Sequence, residues 1–404
     1  LSLLVELDGT DVSGVAIQGS STRRLNRPSL GQIKIPMDAA IGGPGSKLKI
    51  TFDGTLHHHG TVLSCETDAG EDTGYTVYNS ADPMELWQWR PARDDTCDFS
   101  KPTFIEDYLT GPAIMEDILS NSENCGGGGQ DDTEGPLFLD FGTFAGGGVS
   151  LTGAPVDWPM TIAEVATLLT STGELDIVIT PTDAGGGMMG TVDCYNGDYG
   201  TDLSGSLAFQ YGTGARNIRR VRWNEDMTQL CNKLWYYGGP RIQTAADPAG
   251  DQHWCWNITG DDPGLAYPPG GDIDTPSSIN PIGECRVDSQ SLYGVRMDIR
   301  IYDALSDLCL GPGSVDPGRE LYRRLWQVES FLRCQPRDLV HITPIRDFGI
   351  NSFDIGDLVT VEAGAVLRGG FSGVQRVYEY TISWDEDGPF ELSELQTSPN
   401  NEGF

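Results

Sequence analysis

Alternating apolar and polar residues, closed by Asp-Gly pairs, constrain the first 90 residues more tightly than any other feature of this chain. Leu3, Val5 and Leu7 alternate into Asp8-Gly9, and Leu48, Ile50 and Phe52 alternate into Asp53-Gly54. Successive side chains of a strand point to opposite faces, so a period of two marks a strand with one buried face. Asp-Gly supplies the positive φ angles that tight hairpin turns require. Val15 and Ile17, then Ile33, Ile35 and Met37, and then Val62 with Ser64 extend the pattern. An antiparallel β-domain is predicted over residues 1–95.

Composition carries the same reading through the rest of the chain. Its 404 residues exceed one ordinary domain. The 52 Gly and 24 Pro predict many turns between short elements. With 26 basic against 59 acidic residues the net charge is -33, a surface that repels nucleic acid. The 9 Trp, 14 Tyr and 13 Phe need cores or interfaces, which argues against disorder. Leu1 to Val5 is too short for a signal sequence, and no apolar run reaches membrane-spanning length. Cysteines 65, 97, 125, 194, 231, 255, 285, 309 and 334 form no CxxC pair, so reduced thiols are expected.

Between residues 96 and 199 helical spacing appears. Phe104 to Leu119, broken at Gly111-Pro112, predicts two short helices. Asn121 to Gly135 is a low-complexity loop. Thr161 to Thr170 predicts a helix capped by Thr161, and Asp176 to Ile179 a strand. Gln243 to Ile282 lacks periodicity and reads as a long surface excursion. Gly318 to Leu332 predicts a helix ended by Gln335-Pro336. Strands return from Leu339 to Leu395, with a hairpin through Asp385-Glu386-Asp387-Gly388, and a frayed tail is expected over 397–404.

Two segments share a layout. Lys47 to Glu66 and Asp357 to Glu379 each run as an alternating strand, a Gly-bounded turn and a return strand ending on Glu. Chance hairpin grammar and a diverged duplication are both open at this point.

No chemical constellation emerges. His57-His58-His59 puts His57 and His59 on one strand face with His58 opposite, and no third zinc ligand is nominated. Acidic pairs at Asp94-Asp95, Asp131-Asp132, Asp261-Asp262 and Asp385-Glu386-Asp387 lack calcium-loop spacing. There is no GxSxG elbow and no P-loop. Arg216, Arg219, Arg220 and Arg222 form a basic run suited to an acidic partner surface. Catalytic, cofactor-binding and metal residues are therefore expected to number none, and the chain is read as no enzyme.

From Leu207 to Gly239 the chain reads as a strand, a Gly212-Thr213-Gly214 turn, a second strand, a capped turn and a third strand. Through Phe209, Tyr211, Arg216, Asn217, Ile218, Asn224, Asp226, Leu230, Asn232, Gly238 and Gly239, this order resembles baseplate hub (tail tip) proteins of long-tailed bacteriophages. The resemblance implies a β-rich α+β fold with two tube-protein-like antiparallel β-barrel domains and inserted α/β and loop regions. The first barrel would span 1–95, and the second 200–245 plus 335–396. An α+β insertion would fill 96–199, and a loop-and-helix insertion 246–334 would serve neighbouring tip proteins.

The resemblance further implies a homotrimer closing the distal end of the tail tube and adapting six-fold to three-fold symmetry. Implied partners are a distal tail protein or tail tube ring, the tape measure protein, and further tip or fibre proteins. DNA would pass without specific binding, and contact with the host envelope would be indirect. The location would be the virion, after assembly in the host cytoplasm, with no cofactor. The alternatives are a carbohydrate-binding or carbohydrate-hydrolysing extracellular β-protein, or another virion part such as a distal tail or tube protein.

Overall fold

The computed structural model describes residues 2–70, 74–93, 103–106, 110–124, 137–145, 154–157, 160–171, 175–185, 187–197, 199–212, 216–228, 230–240, 253–258, 291–302, 337–345, 351–364, 372–386 and 388–399. The first unit holds β1 (Leu3–Leu7), β2 (Thr10–Asp11), β3 (Gln18–Arg24), β4 (Leu30–Pro36), β5 (Lys47–Phe52), β6 (Thr55–Ala69) and β7 (Gly74–Ala81). Both Asp-Gly turns form as expected: Asp8 and Gly9 take φ of 49° and 74°, Asp53 and Gly54 of 47° and 79°. Two consecutive positive φ angles match the right-handed twist of the flanking strands. Val15 and Ile17 instead belong to the connection before β3.

A smaller layer follows, with β8 (Thr103–Glu106), α1 (Gly111–Asn124), β9 (Leu139–Phe144), β10 (Ala154–Asp157), α2 (Ile162–Ser171), β11 (Asp176–Pro181) and β12 (Gly190–Tyr195). The first of the two helices expected over 104–119 is the strand β8, paired with β10. Gly111-Pro112 opens α1 rather than breaking a helix, since proline is tolerated in a first turn. Helix α2 starts as expected. Thr161 Oγ1 accepts from Glu164 N at 3.2 Å while Glu164 Oε2 accepts from Thr161 N at 2.6 Å, a reciprocal capping box. Ile114, Met115, Ile118 and Leu119 of α1 and Val165 and Leu169 of α2 bury against Ile177, Val192 and Cys194 as a second core.

The remaining strands are β13 (Ala208–Gln210), β14 (Ile218–Asp226), β15 (Lys233–Pro240), β16 (His253–Ile258), β17 (Met297–Tyr302), β18 (Arg337–Pro344), β19 (Leu358–Glu362), β20 (Ser372–Asp385) and β21 (Gly388–Ser398). Expected with the second barrel, β15 pairs instead with β16 and β17 in a separate sheet. The excursion expected over 243–282 contains β16, whose sequence HWCWNI has no apolar/polar alternation to reveal it. Strand β21 outlasts the expected end at Gln396, with Thr397 wholly buried. The helix expected at 318–332 and the loop at 121–135 beyond Asn124 lie outside the described residues.

Six strands of the first unit recur in the same order in the second, and the two-residue β2 has no counterpart. The first runs β1-β5-β6-β7-β4-β3 across the sheet, and the second β13-β19-β20-β21-β18-β14. The β5–β6 and β19–β20 hairpins, matched in the sequence, occupy equivalent places. Each long strand carries one of its register shifts at the same point, between Val62 and Ser64 in β6 and between Val377 and Glu379 in β20. One pairing differs: β1 meets β5 antiparallel, whereas β13 meets β19 parallel. The fold is thus β-rich α+β, with two similar antiparallel units and inserted α/β segments. Strand β3 hydrogen-bonds β20, so both units share one thirteen-stranded sheet and one apolar core.

Candidate assembly interface

The β3–β20 seam shows how one unit docks on another. Seven residues of β3 align with β20, from Arg24 opposite Glu379 to Gln18 opposite Asp385. Alternation sorts the seam into two faces. On the outer face Arg24 Nε donates to Glu379 Oε2 at 2.8 Å, and the Thr22 and Thr381 hydroxyls meet at 2.9 Å. On the inner face Trp384 lies across Gly19, where an added Cβ would sit 2.2 Å from the indole. Glycine is required there because the ring takes the space of a side chain.

Aromatic rings continue the join inside. Phe52 of β5 meets Trp384 edge-on at 5.8 Å, and Phe353 meets both Tyr380 and Phe209 at 5.3 and 5.8 Å. Such edge-to-face pairs add about 0.5–1.5 kcal/mol each beyond burial. Arg23 Nη1 reaches Asp354 at 3.2 Å, and Tyr380 OH donates to the same carboxylate at 3.2 Å.

The inserted layer is pinned where all three parts meet. Asn26, at φ 63°, closes the β3–β4 turn and mimics a strand partner. Its N–H donates to Ile177 O at 3.0 Å, and its Oδ1 accepts from Ile177 N at 2.6 Å. Next to it Asp176 receives a forked ion pair from Arg376, the two side chains being 4 % and 3 % exposed. The same guanidinium donates to Tyr199 O at 2.7 Å and to Gly197 and Gly356 carbonyls at 3.3 Å. Five donors in a planar fork suit this saturation, which lysine could not reproduce.

The histidines part company. The β5–β6 register shifts between Ile50 and Thr51, which makes His57 an extra, bulged residue. The expectation that His57 and His59 share a face therefore fails: a bulge resets alternation. His57 Nε2 donates to Asn351 Oδ1 at 2.8 Å, into the second unit. His58 bonds Ser80 at 2.9 Å and lies over Gly31, inside the first. His59 Nδ1 donates to Thr182 O at 2.6 Å, toward the inserted layer, where Lys49 also meets Asp183 at 2.6 Å. Burial lowers all three, His58 to about 3. Among the described residues no group of three metal-ligating side chains converges. Of the acidic pairs, Asp385 and Glu386 form the β20–β21 turn, exposed to solvent, and the other three lie outside the described residues.

Three of the residues that carried the resemblance, Asn217, Asn232 and Asp226, prove to be backbone clamps. Asn217 Oδ1 accepts from Gln210 N at 2.6 Å while its Nδ2 donates to Ala208 O at 2.7 Å, tying β14 to β13. Asn232, wholly buried, does the same with Arg296 N and Gly294 O at 2.8 and 2.9 Å. Asp226 accepts from Thr228 N at 2.8 Å, the cap predicted for that turn. Arg216 stacks 5.2 Å from the Tyr211 ring, and Arg219, Arg220 and Arg222 are exposed along β14. Sequence reasoning missed Arg376, Asp176 and Asn26, because nothing local announces partners 200 and 151 residues away.

Cys65, Cys194 and Cys231 are thiols, and burial pushes Cys194 well above the usual range. Among the described residues no helix is long and apolar enough to cross a membrane.

No protein-family model and no curated protein matches the sequence. Three-dimensional comparison does find similar folds. A 43 kDa tail protein of prophage MuSo2 from Shewanella oneidensis is 12 % identical at TM-score 0.56, with 99 % of this chain and 98 % of that one covered. A tail protein from Neisseria meningitidis is 11 % identical at TM-score 0.54, covering 99 % and 97 %. A prophage tail protein from Listeria monocytogenes is 11 % identical at TM-score 0.50, covering 100 % and 95 %. The likeness spans the inserted layer as well as the paired units, and from end to end this chain has the fold of phage tail proteins.

Proposed function

We propose that the protein is a structural part of a phage virion, a trimeric baseplate hub that closes the distal end of the tail tube. The observation that carries this reading is the six-strand duplication, joined edge to edge at β3–β20. Three copies of a two-unit chain supply six similar units, which match a six-fold tube on one side and a three-fold tip on the other. Closed cyclic symmetry is the ordinary way to assemble such a ring.

In this role the protein works by shape rather than by chemistry. Its neighbours are a distal tail protein or tube ring, the tape measure protein and further tip proteins. A net charge of -33 disfavours phosphate contacts, which would let DNA slide past without specific binding. Reversing acids to Lys on the pore wall should slow DNA ejection; an unchanged rate would remove the charge argument.

The deciding experiment is the absolute mass by light scattering, with particle images of the same peak. A trimer with six similar lobes in end view supports the hub. A hexamer would replace it with a tube or distal tail protein, and a monomer at every concentration would overturn it.

A further inference from the structure

Among the strand edges that lack a strand neighbour within the described residues, two lie where the internal seam would recur. Strand β14 ends the sheet path, and β18 is its strand partner among the described residues. Strand β6 pairs with β7 as far as Ala69, while its pairing with β5 stops at Thr61, leaving its other side open from Ser64 to Ala69. An open edge is a template for another chain.

The internal repeat says what fits there. Equivalent strands are β3 with β14 and β6 with β20, and β3 pairs β20 inside the chain. The remaining members of the two pairs are the open edges themselves, β14 and β6. We infer that β14 of one subunit pairs antiparallel with β6 of a second copy of this chain, repeating the internal seam between subunits.

The register follows from rows of paired residues. In the first unit the row runs Ser20, Gln32, Asn79, Ser64. In the second it runs Arg222, His341, Gln396, Glu379. Arg222 therefore stands where Ser20 does, and Ser64 where Glu379 does. Within the chain Ser20 faces Ser383 and Thr22 faces Thr381. Carried across, Arg222 faces Asp68 of the partner subunit, and Asn224 faces the partner's Glu66.

Charge supports this pairing independently. Arg220 and Arg222 lie exposed on the outer face of β14, and Glu66 and Asp68 are exposed on the matching face of β6. The internal seam uses the same polarity, Arg24 of β3 on Glu379 of β20. Like charges placed opposite one another on paired strands are unfavourable and opposite ones favourable, so the arrangement also rejects β14–β14 contacts. The interface is head-to-tail, and three copies close it only if each junction turns equally.

This inference rests on the trimeric reading, and its test separates the two. Wild type, Arg222→Asp, Asp68→Arg and the Arg222→Asp/Asp68→Arg exchange are compared by light scattering, with circular dichroism confirming each fold. Either single reversal should raise the trimer dissociation constant at least tenfold, and the exchange should restore it. Hydrogen exchange should show amides of 64–69 and 220–226 protected in the trimer. A trimer indifferent to both reversals, with those amides unprotected, overturns the strand pairing and leaves the hub standing. A wild-type protein that never associates overturns both.

Discussion

Arg376 and Asp176 lie 200 residues apart and form a buried ion pair between the second unit and the inserted layer. Every oxygen around the guanidinium is engaged, so its removal orphans a carboxylate and several carbonyl groups. Arg376→Met is expected to cost about 3–5 kcal/mol, the usual penalty for an uncompensated buried charge. Replacing both partners with apolar residues should cost less than the two single changes together. Urea unfolding of the two single variants and the double variant measures the coupling.

Acid should weaken the fold through the histidines. Burial holds His58 at about 3, against 6.5 for an unconstrained imidazole. Between those values the unfolded chain takes up a proton that the native chain refuses. Stability from this residue is full above pH 6.5 and falls as pH drops toward 3. His57 and His59 are lowered in the same direction. His58→Gln should flatten the acid limb by up to about 1.4 kcal/mol per pH unit, read from urea midpoints between pH 4 and 8.

Asp82 acts with the opposite sign. Burial raises its carboxyl to about 7, held in check by N–H donors from Ser29 and Met84. The native chain then keeps a proton that the unfolded chain has released, so stability falls as pH rises from about 4 to 7. Asp82→Asn should remove this loss, making the variant relatively more stable at pH 8 than at pH 4.5. The same unfolding series detects it.

Gly19→Ala tests the seam directly. A Cβ there would sit 2.2 Å from the Trp384 ring, and 2.7 Å from the Gln32 carbonyl oxygen. Overpacking of this kind costs about 1–3 kcal/mol. The melting temperature should fall, and the fluorescence of Trp384 should shift as the displaced indole meets solvent. Trp384→Phe in the same background should recover part of the loss.

Thr161→Ala removes one half of the α2 capping box and should cost about 1 kcal/mol. Asn at this position should retain most of the stability, because its side chain accepts the same N–H. Thermal unfolding of the two variants checks the order.

Much of the β-architecture was legible because strands with one buried face alternate, and Asp53-Gly54 can turn only one way. The Thr161 cap was legible because its partner, Glu164, sits three residues on. The seam was not. Nothing in Ser20, Thr22 and Arg24 names Thr381 and Glu379 as partners, since strand pairing across 355 residues leaves no local mark. The histidines misled for a related reason: a bulge at His57 depends on how β5 is aligned, which alternation cannot foresee. Strands β8 and β16 were missed because their sequences, TFIE and HWCWNI, do not alternate apolar with polar residues.

The seam also sets an order of events during synthesis. Residues 18–24 leave the ribosome long before 379–385 exist, so the first unit must wait with β3 uncovered while the rest is made. Its waiting edge presents Ser20, Thr22 and Arg24 to water, polar groups that tolerate delay and discourage premature pairing. A strand that looks undistinguished in the finished molecule is thus shaped by the interval before its partner arrives.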